Sequence, residues 1–433
     1  MAASASPAPE PSAHPAQPAS TAPGYAHYVL GVLVLMNLLN HVDRNIVSVL
    51  LEPIRSEFRA SDEWMGLLTG MAFMLVHATM GIPIALWADR GSRRAIVALG
   101  LAVWSAMTSL SGLARSFPQL LVLRMGVGIG EAAGTPPSHS MISDYFPPER
   151  RATALATQAF GLHAGIAFGY IAAGWLGQYF GWRATMVVVG LPGLVLALVV
   201  ATTVKEPPRK TKVAAHPLGE VVRFLAGQRA YLYLLAAASF HAMAGYSMAH
   251  WGPTFLLRVH GLSLASVGTW LGVFAFFAGG GGALLGGRMA DRLGRRDPRW
   301  YAWTAAIAAF AALPFGLGFL LSGSPVAAVA CYAPQTLAIA LYNGPLYAMN
   351  QALARPRMRA MAVAIHLFIV SIVGGGVGPW LVGRASDALR ATQGELGIRF
   401  ALLGVFAVGV SVAGIFYLLA ARSLARDFEA AKA

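Results

Sequence analysis

Long apolar segments separated by short, basic loops run along the whole chain. A membrane-spanning helix needs about 20 predominantly apolar residues. Twelve segments meet this requirement, so the pattern predicts an all-α membrane protein with twelve transmembrane helices. The segments cover residues 25–51, 63–87, 95–114, 118–145, 152–178, 182–203, 230–257, 264–287, 301–321, 325–353, 360–383 and 398–420.

Composition and charge support this prediction. The chain is 57% hydrophobic and 12% charged, about half the charged fraction of a soluble domain. Its net charge is +14, but roughly two thirds of its 32 Lys and Arg residues lie in loops on the side that holds both termini. This positive-inside distribution predicts cytoplasmic termini in a bacterial inner membrane and argues against a nucleic-acid partner.

The sequence shows no motif for enzyme chemistry. The single cysteine, Cys331, excludes a disulfide framework and a cysteine-based metal site. We find no phosphate-binding loop, no nucleophile motif and no His/Asp/Glu cluster with metal-ligand spacing. We therefore expect no enzymatic activity, no metal and no cofactor.

The second half of the chain repeats the first. Residues 89–94, after the second segment, and residues 291–296, after the eighth, both read Asp-Arg-x-x-Arg-Arg. Duplication at equivalent places indicates two six-helix bundles.

Residues 218–225 form either a short amphipathic helix or plain linker, and both interpretations stay open. The predicted organisation is a disordered cytoplasmic tail at 1–24, bundles at 25–203 and 230–420, a cytoplasmic linker at 204–229 and a cytoplasmic tail at 421–433.

Four charged residues lie deep in apolar segments: Asp43 and Arg44 in the first, Arg124 and Glu131 in the fourth. A charge at such depth is costly and marks a functional site by default. At about 1.5 Å rise per residue, Asp43 and Arg124 have similar depth, and Glu131 lies deeper on the same face as Arg124. We expect Arg124 to pair with Asp43, and Glu131 to accept Arg44 or a proton. Asp43, Glu131 and Arg124 are the predicted proton-coupling residues; the alternative is a static ion network that only fixes helix packing.

Arg44 shares a stripe of helical spacing with Asn37, Asn40 and His41. This stripe predicts one wall of a substrate-binding cavity. Polar and aromatic residues of the second half would supply the opposite wall, although a single histidine in such a helix is more often a hydrogen-bonded packing residue. The predicted residues of that wall are Tyr246, His250, Tyr342, Asn343 and His366.

The duplicated loop motif predicts a conformational latch in each half. An Asp that pairs with Arg in one conformation would release it in another; the alternative is an ordinary loop anchor. Separately, Gly161, Gly165 and Gly169 share one face of the fifth segment and predict close helix packing. The predicted latch residues are Asp89, Arg93, Asp291, Arg295, Glu149 and Arg150.

Both loop motifs resemble the G-x-x-x-D-R-x-G-R-R signature of the major facilitator superfamily, and Arg124 with Gly128 resembles its helix 4 motif. Residues 37–44, 128–132 and 144–150 resemble the Spinster family of lysolipid and sphingolipid transporters. The resemblance implies two pseudo-symmetric bundles around a central cavity, with alternating access.

The function implied is proton-coupled transport of an amphipathic anionic substrate such as a lysophospholipid or a sphingoid phosphate. The alternative is a drug or organic-anion exporter, or a uniporter, on the same fold. We expect a monomer whose other partners are protons and the lipid bilayer.

Overall fold

The computed structural model describes residues 23–208 and 217–432. The long helices of these residues form twelve segments, numbered here α1 to α12; the short helix of the linker is described separately below. They are α1 (Pro23–Phe58), α2 (Asp62–Arg90), α3 (Arg93–Ser111), α4 (117–145), α5 (148–180), α6 (182–203), α7 (Arg229–His260), α8 (Leu264–Gly294), α9 (Arg299–Leu321), α10 (Pro325–Ala352), α11 (359–393) and α12 (Gly397–Lys432).

Eight continuous helical stretches of the described chain are long and apolar enough to cross a membrane. Two of them, Glu149–Thr203 and Arg359–Ala431, each contain two of the twelve segments. α4 and α7 are not among the eight, because α4 carries the charged residues Arg124, Glu131 and Asp144, and α7 carries several His, Ser and Tyr residues. The described residues contain no β-strand, so the all-α membrane fold is confirmed, and the segments fit the predicted count.

The chain forms two halves, α1–α6 and α7–α12, each of which packs mainly on itself. Helix ends meet at one face: Tyr25 Oη donates to the Thr203 carbonyl at 2.8 Å, and the Ala230 N–H donates to Asp427 Oδ2 at 2.8 Å. We call this the terminal face, and the opposite end of the molecule the distal face. α1 and α7 run parallel across the boundary between the halves, as contacts described below show.

The chain ends are more helical than the sequence analysis predicted. α12 continues through the predicted tail at 421–433 as far as Lys432. That stretch is rich in Ala, Leu and Arg, which are strong helix formers, and Leu424 is completely buried. Of the predicted tail at 1–24, residues 23 and 24 begin α1, and the remainder lies outside the described residues.

Residues 218–225 were predicted to be either a short amphipathic helix or plain linker, and they form the helix. Leu218–Ala226 is helical, and Val221 and Leu225 are buried against the second half. Arg355 lies over the Phe224 ring at 4.7 Å. The helix therefore belongs structurally to the second half, while residues 209–216 lie outside the described part of the chain.

The glycine stripe of α5 packs directly on α1. A Cβ at Gly165 would lie 2.4 Å from the Leu38 carbonyl oxygen, and one at Gly169 would lie 3.0 Å from the Val42 carbonyl oxygen. Gly161 makes an equivalent approach one turn earlier. Small residues allow two helix backbones to come this close, and the packing fixes the position of residues 37–44.

Gly165→Ala is expected to lower the midpoint of thermal unfolding in detergent, because the new methyl group overlaps the Leu38 carbonyl. Overpacking costs roughly 1–3 kcal/mol, which exceeds the gain of about 1 kcal/mol in helix propensity. Gly31→Ala on α1 is the matched control, since a Cβ there meets nothing within 4 Å. A Gly165→Ala midpoint at or above that of wild type would contradict the packing argument.

The two halves approach each other most closely towards the distal face. In α2, a Cβ at Gly70 would lie 2.6 Å from the Gly376 carbonyl oxygen of α11. In α8, a Cβ at Gly268 would lie 2.3 Å from the Tyr170 carbonyl oxygen of α5. Each of α2, α8 and α11 contains a short π-helical stretch, Leu67–Met71, Ala275–Gly279 and Ser371–Val377 respectively.

Corresponding helices of the two halves are interrupted halfway. α4 breaks at 133–134 and α10 at 341–342. Pro136 and Pro137 follow the first break and Pro345 follows the second. Proline lacks the N–H and clashes with the preceding turn, which accounts for both interruptions. The hydrophobic pattern predicted each of these two segments as one continuous helix.

Candidate functional site

An ion pair between α1 and α4 forms the centre of the site. Arg44 Nη2 lies 2.6 Å from Glu131 Oε2, and Arg44 Nε donates to the same oxygen at 3.2 Å. The Glu131 side chain is completely buried, whereas 18% of the Arg44 side chain is exposed. Asn40 lies next to the carboxylate. Arg44 is one of the two partners predicted for Glu131, and uptake of a proton by Glu131 stays a prediction.

Asp43 and Arg124 meet differently from the prediction. Arg124 Nη2 donates to the backbone carbonyl of Asp43 at 3.4 Å, not to its carboxylate. Within the described chain, Asp43 Oδ1 and Arg124 Nε and Nη1 have no hydrogen-bond partner. Both residues are buried, at 2% and 3% exposure. Buried charged groups with unused hydrogen-bonding capacity are unfavourable, so these residues mark a candidate functional site, and their role in proton coupling stays a prediction.

Phe73 of α2 lies against both guanidinium groups. The Arg44 Cζ atom lies 5.1 Å from the Phe73 ring centroid, and the Arg124 Cζ atom lies 5.8 Å from it. One turn later, His77 stacks on the same ring at 5.7 Å. A cation over an aromatic face is stabilised, so Phe73 holds both arginines in place. Sequence reasoning missed Phe73 and His77; the histidine in an otherwise apolar segment was an available signal.

The predicted stripe of α1 divides into two kinds of contact. Asn37 Nδ2 donates to the Gln158 carbonyl of α5 at 2.8 Å, which makes it a packing contact. His41 Nδ1 lies 2.9 Å from the Asn37 carbonyl, and the Asn45 side chain donates to the His41 carbonyl. Asn40 is 8% exposed. Arg44 is thus the member of the stripe that combines a free surface with a charge.

Tyr246 and His250 of α7 face this group from the other half. Tyr246 lies close enough to Arg44 to interact electrostatically with it. The Tyr246 and His250 rings are stacked 6.1 Å apart, and His250 Nδ1 lies 2.7 Å from Ser48 Oγ on α1. The structure therefore brings both predicted residues to the boundary between the halves, opposite Arg44.

The remaining predicted residues of the second half lie in different surroundings. Tyr342 stacks on His241 at 3.9 Å and interacts with Tyr246 and Tyr347. Asn343 Nδ2 donates to the Ala340 carbonyl, across the break in α10. His366 is 1% exposed, and neither ring nitrogen has a hydrogen-bond partner among the described residues. Tyr342 extends the aromatic surface of Tyr246, whereas substrate contact by Asn343 and His366 stays a prediction.

A second ion network, missed by sequence reasoning, connects the halves at the distal face. Arg258, near the end of α7, donates to both oxygens of Asp62 at 2.6 and 2.7 Å and to Glu52 Oε2 at 2.5 Å. Arg55 also contacts Glu52, at 3.0 Å. The Arg258 and Asp62 side chains are 5% and 1% exposed. These short, charge-assisted contacts belong to the strong class of hydrogen bond.

α11 completes the network, hereafter the distal lock (Glu52, Arg55, Asp62, Arg258, Ser386 and Asp387). Ser386 Oγ donates to Asp62 Oδ2 at 2.7 Å. The Asp387 carboxylate accepts the N–H groups of Asp62 and Glu63 at 3.0 and 2.8 Å, at the start of α2. A carboxylate at a helix N-terminus is stabilised by the unpaired N–H groups there. The distal lock therefore ties α7 and α11 to α1 and α2.

At the terminal face, Arg93 is the predicted latch residue with the most ionic contacts. Its Nη1 lies 2.5 Å from Asp144 Oδ2, and its Nε lies 2.8 Å from Glu206 Oε1. Neither acid was a predicted site residue. The network lies within the first half. The other predicted latch residues are exposed at or beside helix ends, and their role stays a prediction; they are Asp89, Asp291, Arg295, Glu149 and Arg150.

Stability should depend on pH through Glu206, which lies beyond the end of α6. Burial raises the pKa of this carboxyl, but hydrogen bonds from the Arg94 N–H, Arg93 and Ser92 outweigh burial and lower the pKa below its ordinary value of 4.5. A lowered pKa stabilises the fold above the unfolded-state pKa, and the benefit is lost as pH falls. We expect the wild-type advantage over Glu206→Gln in thermal unfolding to be constant above pH 4.5 and to shrink below it.

An unchanged difference between wild type and Glu206→Gln down to pH 3, about 1.5 units below the ordinary pKa, would contradict the ionic role.

No group of three His, Cys, Asp or Glu side chains suited to a metal occurs among residues 23–208 and 217–432.

Comparison with known proteins identifies the architecture. The family model of the Major Facilitator Superfamily matches residues 33–379. The chain belongs to this superfamily of membrane transporters. It is 36% identical over 412 residues to an MFS-type efflux pump of Mycolicibacterium smegmatis, which covers 94% of this chain and 95% of the relative. Human protein spinster homolog 1 is 29% identical over 403 residues, covering 85% of this chain and 74% of the relative.

A solved structure gives the same assignment. The crystal structure of a bacterial homologue of the human lysosomal transporter Spinster, inward-facing and unoccupied, matches with a TM-score of 0.85 and 32% identity. The match covers 94% of this chain and 99% of that chain. Within the superfamily, the protein is a transporter of the Spinster type. The resemblance drawn from the motifs is thereby confirmed, as are the membrane location and the expectation that the chain is not an enzyme.

Proposed function

We propose that this transporter is proton-coupled and moves an amphipathic anionic substrate by alternating access. The observation that carries the proposal is the group of four buried charges, in which Glu131 is paired with Arg44 while Asp43 Oδ1 has no hydrogen-bond partner in the described chain. A carboxylate whose cationic partner changes between conformations binds and releases a proton during the cycle. Arg44 is the residue able to change partner, because it is part-exposed.

The substrate class follows from the surroundings of Arg44. Its guanidinium offers a planar fork that matches a phosphate or carboxylate. Tyr246 and Tyr342 supply an aromatic surface on the facing half. A ligand with an anionic head and an apolar chain satisfies both features. A lysophospholipid or a sphingoid phosphate is such a ligand, and the Spinster relatives make this class the first to test.

An anionic head that binds Arg44 would compete with Glu131 for the same guanidinium. Substrate arrival would release the Glu131 carboxylate from its cation, and burial would then favour its protonation. Substrate and proton binding are coupled in this scheme through one shared arginine. Asp43, next to Arg44 in the chain, supplies a second carboxyl group in the same buried group. Arg124, two turns before Glu131 on α4, supplies a second fixed cation.

The conformation described here fits a state that is open towards the cytoplasm. The distal lock and the glycine contacts join the halves at the distal face. The match to an inward-facing Spinster homologue supports the same assignment. With both termini cytoplasmic, as the positive-inside pattern predicts, the distal face would be the outer face of a bacterial inner membrane. The protein is proposed to act as a monomer.

Flux into proteoliposomes tests the proposal. Purified protein would be reconstituted, a gradient of about one pH unit imposed, and the movement of radiolabelled lysophosphatidylglycerol measured in both directions. We expect the pH gradient to drive accumulation, and a protonophore to abolish it. Equal flux with and without the gradient would indicate that the protein is a uniporter and would contradict proton coupling.

Export of drugs is the second candidate function. The observation that favours it is the Mycolicibacterium smegmatis relative, which is an efflux pump. The same vesicles loaded with ethidium, a cation, separate the candidates. Gradient-driven movement of ethidium without movement of the lysolipid would favour the drug exporter.

Arg44→Lys is expected to impair an anionic substrate more than a cationic one. Lysine keeps the charge but lacks the planar fork, so it cannot hold a phosphate with two parallel hydrogen bonds. Loss of one charge-assisted hydrogen bond, about 1.5–3 kcal/mol, predicts an affinity roughly 10- to 100-fold lower. Competition binding with lysophosphatidylglycerol and ethidium measures the effect. Equal losses for both ligands would contradict direct contact between Arg44 and the anionic head.

A further inference from the structure

A cleft outside the transport site lies where α7 begins and α12 ends, at the terminal face. It has a volume of about 270 Å³ and is lined by Arg229, Tyr233, Leu419, Arg422, Ser423 and Arg426. Three arginines from two helices therefore border one cleft. None of these residues belongs to the central charge group, the distal lock or the predicted latch.

Within residues 23–208 and 217–432, one of the three lining arginines has an acidic partner in an ion pair. Asp427 is the acid beside it, and its Oδ1 accepts Arg426 Nε and Nη2 at 3.0 and 2.9 Å. Its Oδ2 accepts the Ala230 N–H at 2.8 Å, so both oxygens are in use. Asp427 is 4% exposed. With Arg426 matched to Asp427, the charges of Arg229 and Arg422 remain, and both side chains are exposed.

Apolar surface continues from the charged cleft along the helices. Leu232, Ile415 and Leu418, within four residues of the lining, are 46%, 52% and 44% exposed. Tyr233, in the lining itself, has the amphipathic ring that is typical of a membrane–water interface. The surface therefore offers a cationic end and an apolar end in the order in which a phospholipid presents its head and its acyl chains.

The corresponding seam of the first half is closed by the protein itself. There, where α1 begins and α6 ends, Tyr25 Oη donates to the Thr203 carbonyl at 2.8 Å, and Tyr28 Oη lies 2.6 Å from Thr203 Oγ1. The Lys205 N–H donates to Tyr25 Oη at 2.7 Å. The same architectural position is thus filled by side chains in one half and left as an arginine-lined cleft in the other.

We propose that the cleft between α7 and α12 binds the headgroup of an anionic phospholipid of the surrounding leaflet. Arg229 and Arg422 would hold the phosphate through charge-assisted hydrogen bonds, and the acyl chains would follow Leu232 and Leu418. Basic pockets between transmembrane helices are suited to such headgroups. The site is separate from the proposed transport path, so the bound lipid is a structural ligand and not the cargo.

Lipid binding by the purified full-length protein tests the proposal. Native mass spectrometry would count the phosphatidylglycerol retained during titration in a neutral detergent, with phosphatidylcholine and inorganic phosphate as separate arms. Each arginine near anionic lipid contributes about fivefold to affinity, so R229Q/R422Q should bind phosphatidylglycerol roughly 25-fold more weakly than wild type. R229K/R422K, which keeps the charge, should recover part of the loss.

Two control variants separate this site from other anion binding. R357Q/R359Q removes two exposed arginines, one just before α11 and one at its first residue, and it should bind phosphatidylglycerol like wild type. R44Q removes the cation of the central site, so phosphatidylglycerol lost in R44Q was bound there and not in the cleft. Wild-type affinity in R229Q/R422Q, or loss confined to R44Q, would overturn the proposal. Equal binding of inorganic phosphate would overturn it in favour of a simple anion site.

Discussion

Asp43→Asn and Glu131→Gln are expected to abolish the coupling between the pH gradient and substrate accumulation. One coupled proton and a gradient of one pH unit can sustain about a tenfold substrate ratio, since each unit is worth about 1.36 kcal/mol. An amide cannot exchange the proton, so both variants should reach a ratio of about one. Passive exchange of labelled for unlabelled substrate should continue in both. The measurement is the steady-state ratio in proteoliposomes, with and without the gradient.

Asp297→Asn is the matched control, since it removes a carboxylate from the loop between α8 and α9, where Asp297 Oδ1 accepts the Arg299 N–H. It should retain the wild-type ratio. Thermal unfolding would establish that all three variants are folded. Should both buried variants keep the wild-type ratio, the four charges would serve helix packing alone, which is the alternative that the sequence left open.

Arg258→Ala is expected to shift the protein away from the conformation described here. Removing one member of a buried ion pair costs roughly 3–5 kcal/mol, because the partner charge is left unpaired. That cost applies while the distal lock is closed and is relieved when the halves separate. The equilibrium between closed and open distal faces should therefore change by roughly 100-fold or more. Spin labels at Ser56 and Ala391, exposed at the distal ends of α1 and α11, would report a longer distance.

The measurement needs a background without Cys331, the single cysteine. Arg183→Gln is the matched control, because Arg183 pairs with Glu57 at 2.6 Å within the first half. It removes a distal ion pair that does not cross between the halves, and it should leave the spin-label distance unchanged. If Arg258→Ala gave the same distance distribution as Arg183→Gln, the distal lock would not control opening.

The helices and the central ion pair could be predicted because both depend on local periodicity. Apolar length gave the twelve segments, and i, i+4 spacing put Gly161, Gly165 and Gly169 on one face of α5. The placement of Glu131 near Arg44 followed from helical rise and the antiparallel direction of adjacent crossings. The carboxylate of Asp43 was not so predictable: a rotation of one side chain decides whether Arg124 contacts its carboxylate or its backbone carbonyl.

The contacts between the halves could not be read from one sequence. Glu52, Asp62 and Arg258 all lie close to loops, where charged residues are ordinary, so nothing local distinguished them. These residues become buried when α7 and α11 pack on α1 and α2. Arg258 and Asp62, for example, are 196 residues apart in the chain. Phe73 was missed for a similar reason, since an aromatic residue in an apolar segment has no unusual sequence context.

The four buried charges lie on α1 and α4, in the first half, and the second half has no counterpart to them in the corresponding helices. The corresponding α7 and α10 carry no Asp, Glu, Lys or Arg between residues 230 and 257 or between 325 and 352. They present neutral His, Tyr and Asn instead. In the proposed scheme, proton exchange therefore depends on the first half, and the second half adds a neutral, aromatic wall that faces Arg44. Substitutions on that wall would then change how the substrate fits without removing either of the carboxylates proposed to exchange the proton.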